Sequence, residues 1–289
     1  EQVREQDFDI VHTHLSSGAD LYLFPLTAAL PVPHVTTLHS HFPFDYTPGS
    51  WRGDADDYYM DWAPSVPLVV LSEAARAQET LPVHVVGVVP NGVDMSQYRP
   101  SRRKRGDYFA WLGRFSPEKG AHLAIEAAKR AEVPIVLAGT IDRYLRESTS
   151  YFHEMIEPQI DNGKVKYIGP VNMRKKVSLL SRARGFLNPI EWEEPFGMVM
   201  IEAMSVGCPV ISFARGAAPE IVVHGKTGFL VQNVDEMVQS IARIDEIDRE
   251  TTRLHVEHNF SAPVMAEKYI DIYKKVIAMS KTAERDKVH

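Results

Sequence analysis

Short runs of apolar residues alternate with amphipathic stretches along the chain, most regularly in its second half. Short segments rich in apolar or β-branched residues predict strands over 7–13, 34–38, 67–71, 83–89, 108–112, 134–138, 164–168, 185–188, 209–213 and 228–231. Apolar residues at helical spacing predict helices over 18–30, 54–62, 118–130, 142–160, 173–182, 197–206, 217–224, 234–247 and 262–279. Buried strands that alternate with helices are typical of parallel sheets covered on both faces. We therefore expect an α/β fold that binds ligands beyond the carboxyl ends of its strands.

Length and composition limit the class of protein. At roughly 150 residues per domain, the 289 residues predict two domains. A content of 44% hydrophobic and 24% charged residues is typical of a soluble globular chain without a membrane span. The net charge of −6 argues against a general nucleic-acid-binding protein. Because Cys208 is the single cysteine, no internal disulfide can form, and we expect a cytoplasmic protein.

The composition changes between the two halves of the chain. Residues 95–106 contain Pro100 and the basic run 102–105, so we interpret them as a solvent-exposed linker, with peripheral contact to anionic lipid as the alternative. The predicted divisions are a domain over 1–94, a linker over 95–106, a domain over 107–261 and a helix over 262–289. We expect this last helix to pack back toward the first domain.

The segment WLGRFSPEKG (111–120) carries two cations beside a strand-to-helix turn. A strand leads into Gly113 and a helix begins near Pro117, so Arg114 and Lys119 flank a turn at the carboxyl end of the strand. Backbone N–H groups at such a turn, together with the two cations, favour an anion such as a diphosphate. The alternative is that both cations are ordinary surface residues at a helix start.

Two carboxylates lie eight positions apart in the segment 190–213. Glu194 belongs to the loop before a helix that begins near Gly197, whereas Glu202 lies more than one turn inside that helix. Glu202 is surrounded in sequence by apolar residues, so a buried carboxylate there requires a partner. The two carboxylates can accept hydrogen bonds from two sets of vicinal hydroxyls, such as those of a sugar and a ribose.

Several separated motifs resemble one enzyme family in the right order. They are Arg114 with Lys119, EPFG with Glu194 and Glu202, GCPVI (207–211), GAAPEIV (216–222), GKTGFLV (225–231), NGVD (91–94), IVHTH (10–14) and TTLHSH (36–41). Together they look like glycosyltransferase family 4. This resemblance implies a GT-B fold, in which two Rossmann-like parallel-sheet domains face a cleft. It also implies that the first domain is incomplete here, as in a fragment or in a chain that a partner chain completes.

The resemblance implies roles for individual residues. Arg114 and Lys119 would bind the donor diphosphate, Glu202 the ribose hydroxyls and Glu194 the transferred sugar. The implied donor-binding set is Gly113, Arg114, Lys119, Gly169, Pro170, Val171, Glu194, Phe196, Gly197, Met198, Val199 and Glu202. Within this set, Gly169, Pro170 and Val171 would contact the nucleotide base through backbone groups. The implied catalytic residues are His39, Glu194, Arg114 and Lys119, with His39 on the acceptor side of the cleft.

The histidines and acidic residues of the first half of the chain do not form an obvious metal site in the sequence. His12, His14, His39 and His41 follow predicted strands at a spacing that suits metal ligands, but no carboxylate or thiolate completes an obvious set. Asp54-Ala55-Asp56 resembles a metal-binding Asp-x-Asp motif, but we interpret it as a solvated helix start. The expected cofactor is none, and a nucleotide diphosphate sugar is the expected co-substrate.

The resemblance to glycosyltransferase family 4 implies a retaining glycosyltransferase. We expect it to move a hexose from a nucleotide diphosphate sugar, with UDP-glucose as the first choice, to a hydroxyl of an unidentified acceptor. One alternative is a non-catalytic nucleotide-sugar-binding subunit or fragment that needs a partner for activity. Another is a different GT-B enzyme, such as a sugar-nucleotide epimerase.

Overall fold

The computed structural model describes residues 8–16, 20, 23–40, 63–79, 83–101 and 104–286. The chain divides into two compact units, one formed by Glu1–Asn91 with Pro263–His289 and the other by Gly92–Ala262. Residues 95–106, which we expected to form a linker, therefore belong to the second unit, and most of the last helix belongs to the first.

Strands and helices alternate through both units. The strands are β1 Val11–Leu15, β2 His34–Leu38, β3 Leu68–Val70, β4 Val85–Val88, β5 Phe109–Arg114, β6 Ile135–Thr140, β7 Val165–Tyr167, β8 Phe186–Asn188, β9 Val210–Phe213 and β10 Gly228–Val231. The helices are α1 Leu23–Ala28, α2 Glu73–Gln78, α3 Ala121–Arg130, α4 Arg146–Tyr151, α5 Met173–Arg182, α6 Met198–Ser205, α7 Ala218–Ile221, α8 Val234–Arg243, α9 Arg249–Asn259 and α10 Ala262–Asp286. No helix in the described ranges is long and apolar enough to cross a bilayer.

The first unit is built on a parallel sheet. Among the described residues its strands follow the order β1-β2-β3-β4. Because side chains alternate along a strand, Leu38 and Leu68 contribute to one apolar cluster and Val35 and Val69 to another. Tyr269 of α10 belongs to the second of these clusters, so this helix covers one face of the sheet.

The second unit is a doubly wound parallel sheet. Within the described residues its strand order is β10-β9-β8-β5-β6-β7. The chain proceeds from β5 through β6 to β7, and then returns to the other side of β5 to form β8, β9 and β10. The core contains Trp111, Phe115 and Phe152, with 5.0 Å between the first two ring centroids and 4.9 Å between the last two. The predicted α/β fold with parallel sheets is confirmed in both units.

Side chains fix the first turns of several helices. Asn172 accepts a hydrogen bond from the Lys175 amide at α5 (3.0 Å), and Asp248 accepts one from the Thr251 amide at α9 (2.7 Å). Such caps satisfy N–H groups that have no partner inside the helix. They begin each helix at a defined residue.

One predicted helix differs from the structure, and one observed helix was not predicted. The predicted helix over 142–160 is instead α4, then a π-helical turn over Phe152–Ile156 and a 3-10 turn over Glu157–Gln159 that contains Pro158. The pattern also missed α9, because this helix is mostly polar and buries Thr252 and Val256 rather than an apolar stripe. The predicted helix over 54–62 lies outside the described residues.

Candidate functional site

The strand order of the second sheet reverses between β5 and β8, which pair at Ala110 and Phe186. Connections that leave such adjacent strands diverge and open a crevice at their carboxyl ends. Arg114, exposed to solvent, is the last residue of β5. The loop after β8 leads from Asn188 to the start of α6 and carries Glu194. The two segments that carry Arg114 and Glu194 therefore meet at the position where doubly wound folds bind ligands.

Lys119 and Glu194 form an ion pair at this edge of the sheet. Their side chains are 19% and 16% exposed, so solvent screens the pair only partly. Lys119 ends a 3-10 turn over Pro117–Lys119, and its carbonyl oxygen accepts a hydrogen bond of 3.2 Å from the indole N–H of Trp111. The Lys119 ammonium also lies 5.2 Å from the ring centroid of Trp192. The cation is thus held from several sides.

One carboxylate oxygen of Glu194 has no hydrogen-bond partner among the described residues. Oε1 takes the ion pair, whereas Oε2 is buried and accepts no hydrogen bond from the described residues. The backbone of its loop is held by a hydrogen bond from the Ala217 amide to the Glu194 carbonyl (3.0 Å) and by one from the Gly216 amide to Glu193 Oε2 (2.6 Å). A buried acceptor without a partner is unfavourable. A ligand hydroxyl placed there would supply the missing donor.

Helix α6 begins directly after Glu194 and its neighbours. Gly197 is its N-cap at a φ of 89° and provides no side-chain cap, and Met198 is its first residue. The first amides of a helix have no intrahelical partner, and the helix dipole favours negative charge there. Phe196 is buried against Phe260, with 6.0 Å between ring centroids, while Val199 is half-buried. This N-terminus can therefore bind an anion beside Glu194.

Glu202 lies on the next turn of α6 and is 8% exposed. Its Oε1 accepts a hydrogen bond of 2.7 Å from the hydroxyl of Tyr98 and an ion pair from Lys176. Burial, the hydrogen bond to Glu202 and its negative charge raise the pKa of the Tyr98 hydroxyl. Sequence reasoning missed both partners. Tyr98 lies within the segment interpreted as a linker, and Lys176 is one of three consecutive basic residues whose pattern does not distinguish it from its neighbours.

The remaining residues of the predicted donor-binding set lie at the same edge of the second sheet. Gly113 belongs to β5, and Gly169, Pro170 and Val171 follow β7. The amide of Gly139, in β6, donates a hydrogen bond of 3.2 Å to the Gly169 carbonyl, which ties this loop to the sheet. The parallel sheet brings these residues to the edge that also carries Arg114.

Three histidines of the first unit, His12, His14 and His39, form a connected cluster. His39 follows β2, and its Nε2 lies 2.8 Å from Nδ1 of His14. His12 hydrogen-bonds to the Tyr273 hydroxyl (2.8 Å) and to Thr37 Oγ1 (2.7 Å). Burial and then the charges of the other two imidazoles lower the pKa of His12 to about 4. Burial likewise lowers the pKa of His14 and of His39.

In the described part of the chain, no group of three or more histidine, cysteine, aspartate or glutamate side chains is arranged to hold a metal ion. The cluster of His12, His14 and His39 is instead satisfied by hydroxyl groups and by contacts among the rings. His41 and the Asp54-Ala55-Asp56 motif lie outside the described residues.

Comparison with known proteins places the chain in a class. Sucrose-phosphate synthase of Thermosynechococcus elongatus has a similar structure, with a TM-score of 0.76 at 19% identity over 94% of this chain and 74% of that one. Anabaena Alr3699/HepE, solved in complex with UDP and glucose, gives a TM-score of 0.73 at 19% identity over 92% of this chain and 78% of that one. The two parallel-sheet units thus have the fold of the GT-B glycosyltransferases.

Sequence comparison defines the family. Residues 96–257 match the family described as glycosyl transferases group 1, and residues 1–97 match glycosyltransferase family 4. The chain belongs to the group 1 glycosyltransferases, a family of enzymes, which confirms the resemblance seen in the motifs.

Two curated relatives show how much of the chain is shared. Spore coat protein SA of Bacillus subtilis is 26% identical over 65% of this chain, and the match spans 58% of that protein's own length. Phosphatidyl-myo-inositol mannosyltransferase of Mycolicibacterium smegmatis is 26% identical over 98% of this chain and 77% of its own length.

Proposed function

We propose that the protein transfers a hexose from a nucleotide diphosphate sugar to an acceptor hydroxyl, retaining the anomeric configuration, with UDP-glucose as donor. The observation that carries this proposal is the buried Oε2 of Glu194, which accepts no hydrogen bond from the described residues at the point where the sheet order reverses. A sugar hydroxyl would satisfy it. The binding of UDP and glucose by the Anabaena relative supports the choice of donor.

The charges around Glu194 suit a diphosphate leaving group. As the anomeric bond breaks, negative charge develops on the diphosphate, and fixed positive groups there lower the barrier. Arg114, Lys119 and the N-terminus of α6 supply that field. Because these groups carry the positive charge, the proposal includes no metal ion, and we expect activity to persist in EDTA.

The remaining roles follow the family resemblance. Glu202 accepts hydrogen bonds from the ribose hydroxyls. The amides of Phe196, Gly197, Met198 and Val199 contact phosphate and sugar. The loop of Gly169, Pro170 and Val171 contacts the nucleotide base, and Gly113 also belongs to the donor-binding set. The acceptor oxygen bonds to the anomeric carbon on the face that the diphosphate leaves. Its proton passes to a phosphate oxygen of the leaving group. His39 stands on the acceptor side.

A thermal-shift panel tests donor binding. UDP, GDP, ADP, UDP-glucose, GDP-mannose and UDP-N-acetylglucosamine are added to wild type, Arg114→Ala and Glu202→Ala, with Arg130→Ala as a control at an exposed ion pair. At about a hundredfold over its dissociation constant, a ligand stabilises by about 2.7 kcal/mol, which is a readable shift in Tm. We expect the nucleotides of one base to raise the Tm of wild type and of Arg130→Ala. They should have little effect on the Tm of Arg114→Ala and Glu202→Ala.

Turnover with that donor then separates the functions. Transfer to a hydroxyl acceptor with retained configuration, followed by NMR of the anomeric proton, supports the proposal. Conversion of the nucleotide sugar in the absence of acceptor would indicate an epimerase instead. Donor binding without any turnover would indicate a binding subunit. No shift of wild type at millimolar ligand contradicts the donor site itself.

A further inference from the structure

Tyr98, Lys176 and Glu202 form a compact cluster within the second unit. The Tyr98 hydroxyl donates to Glu202 Oε1 at 2.7 Å, and the Lys176 ammonium pairs with the same oxygen. The ammonium also lies 5.8 Å from the ring centroid of Tyr98. Each member therefore contacts the other two. The three residues come from distant points of the sequence, since Tyr98 and Glu202 are 104 positions apart.

Both partners act on one oxygen of the carboxylate. Among the described residues, the hydrogen bond and the ion pair of Glu202 end on Oε1, which leaves Oε2 for a ligand. The Glu202 side chain is 11% exposed and the Lys176 side chain 19%, so the charge of the carboxylate is compensated inside the protein rather than by water. A carboxylate fixed in this way can present its second oxygen in one direction only.

A fixed acceptor discriminates between ligands that do and do not supply the donor. When a site holds an acceptor oriented toward a ligand hydroxyl, an analogue without that hydroxyl leaves the acceptor unpaired and binds weakly. Resting on the proposed function, we infer that Tyr98 and Lys176 are positioning residues that hold Glu202 so that the site selects nucleotides with vicinal ribose hydroxyls. Neither residue needs to touch the donor for this selection.

The test compares affinities for nucleotides with and without those hydroxyls. UDP, GDP and ADP and their 2′,3′-dideoxy counterparts are titrated by calorimetry into wild type, Tyr98→Phe and Lys176→Met. A hydrogen bond to a charged group contributes about one to two factors of ten in affinity. For the base that binds, we expect wild type to favour the ribonucleotide at least about tenfold. Each variant should lower this ratio about tenfold, mainly by weakening the ribonucleotide.

Matched controls exclude general effects. Lys175→Met removes an exposed cation from the same helix, and Tyr144→Phe removes the hydroxyl of a tyrosine that is 99% exposed, so both should keep the wild-type ratio. Tyr98→Phe retains the buried ring and guards against misfolding.

The outcomes distinguish the inference from the proposed function. Equal weakening of both nucleotides in Lys176→Met would mean that the lysine attracts phosphate and would overturn the inference. An unchanged ratio in both variants would do the same. If wild type binds none of the nucleoside diphosphates, the proposed function itself fails, whereas wild-type binding without any preference for the ribonucleotide overturns the inference alone.

Discussion

Lys119 and Glu194 are 75 positions apart in the sequence, yet their side chains form an ion pair in which both are largely buried. The pair joins the turn after β5 to the loop after β8, across the point where the strand order reverses. It leaves Glu194 Oε2 without a protein partner among the described residues. This ion pair therefore connects the cationic segment 111–120 with the acidic segment 190–213, which are far apart in the sequence.

Removal of one partner from this pair should destabilise the protein more than removal of both. In Lys119→Met the buried carboxylate loses its counter-charge, which costs about 2–4 kcal/mol, whereas Lys119→Met with Glu194→Gln leaves no uncompensated charge. Urea unfolding of wild type, both single variants and the double variant measures the coupling. Additive effects would show that the pair does not stabilise the fold.

Gly216 should be needed to keep Glu194 in place. Gly216 has a φ of +51°, and a Cβ there would lie 2.4 Å from the backbone nitrogen and oxygen of Glu194. Gly216→Ala must therefore shift this loop, and we expect it to abolish the thermal shift by the donor nucleotide and to lower stability by about 1–3 kcal/mol.

Gly225→Ala is the matched control for Gly216→Ala. Gly225 also has a positive φ, +76°, but nothing lies within 4 Å of a Cβ at that position. It should show backbone strain with retained donor binding. Loss of binding in both variants would attribute the effect to strain alone.

The histidine cluster should make stability fall at acidic pH. The pKa of His12 is lowered to about 4 in the folded protein from 6.5, so between these values the unfolded state binds more protons. The contribution of neutral His12 to the free energy of unfolding is therefore complete above about pH 6.5 and decreases as the pH falls toward 4. The facing groups are His14, His39, Thr37, Tyr269 and Tyr273.

Urea midpoints between pH 7 and pH 4 test this dependence. In His12→Gln the slope should flatten relative to wild type, because the imidazole whose pKa is lowered to about 4 is gone. His258→Gln, at an exposed position of α9, should keep the wild-type slope. A wild-type slope in His12→Gln would contradict the assignment.

Arg249 should be a structural residue of the second unit. Its guanidinium donates to the carbonyls of Ser181 and Ala183 at 3.0 Å each and to that of Arg184 at 3.4 Å. Arg249→Met leaves these acceptors without their charged donor, and we expect a loss of about 2–3 kcal/mol. Arg130→Met, at an exposed ion pair that solvent screens, should lose clearly less stability than Arg249→Met. Similar midpoints for the two variants would contradict this view.

The sequence predicted the strands well and the less regular helices poorly. The strand β10 agrees with its predicted range because Gly228–Val231 is a short apolar run bounded by turn residues. Helix α9 was missed because it is mostly polar and buries only Thr252 and Val256, so it has no apolar periodicity. A local pattern records only what each segment would bury, whereas neighbouring elements decide what it does bury.

The same division holds for the candidate site. By itself, the sequence determined an α/β chain of the group 1 glycosyltransferases, and it pointed to Arg114, Lys119, Glu194 and Glu202, because these residues stand in local motifs. Only the tertiary structure decided that Lys119 pairs with Glu194 and that Tyr98 and Lys176 hold Glu202. The physical reason is that hydrogen bonds and ion pairs depend on distances in space, and the strand order of a parallel sheet sets those distances independently of sequence separation.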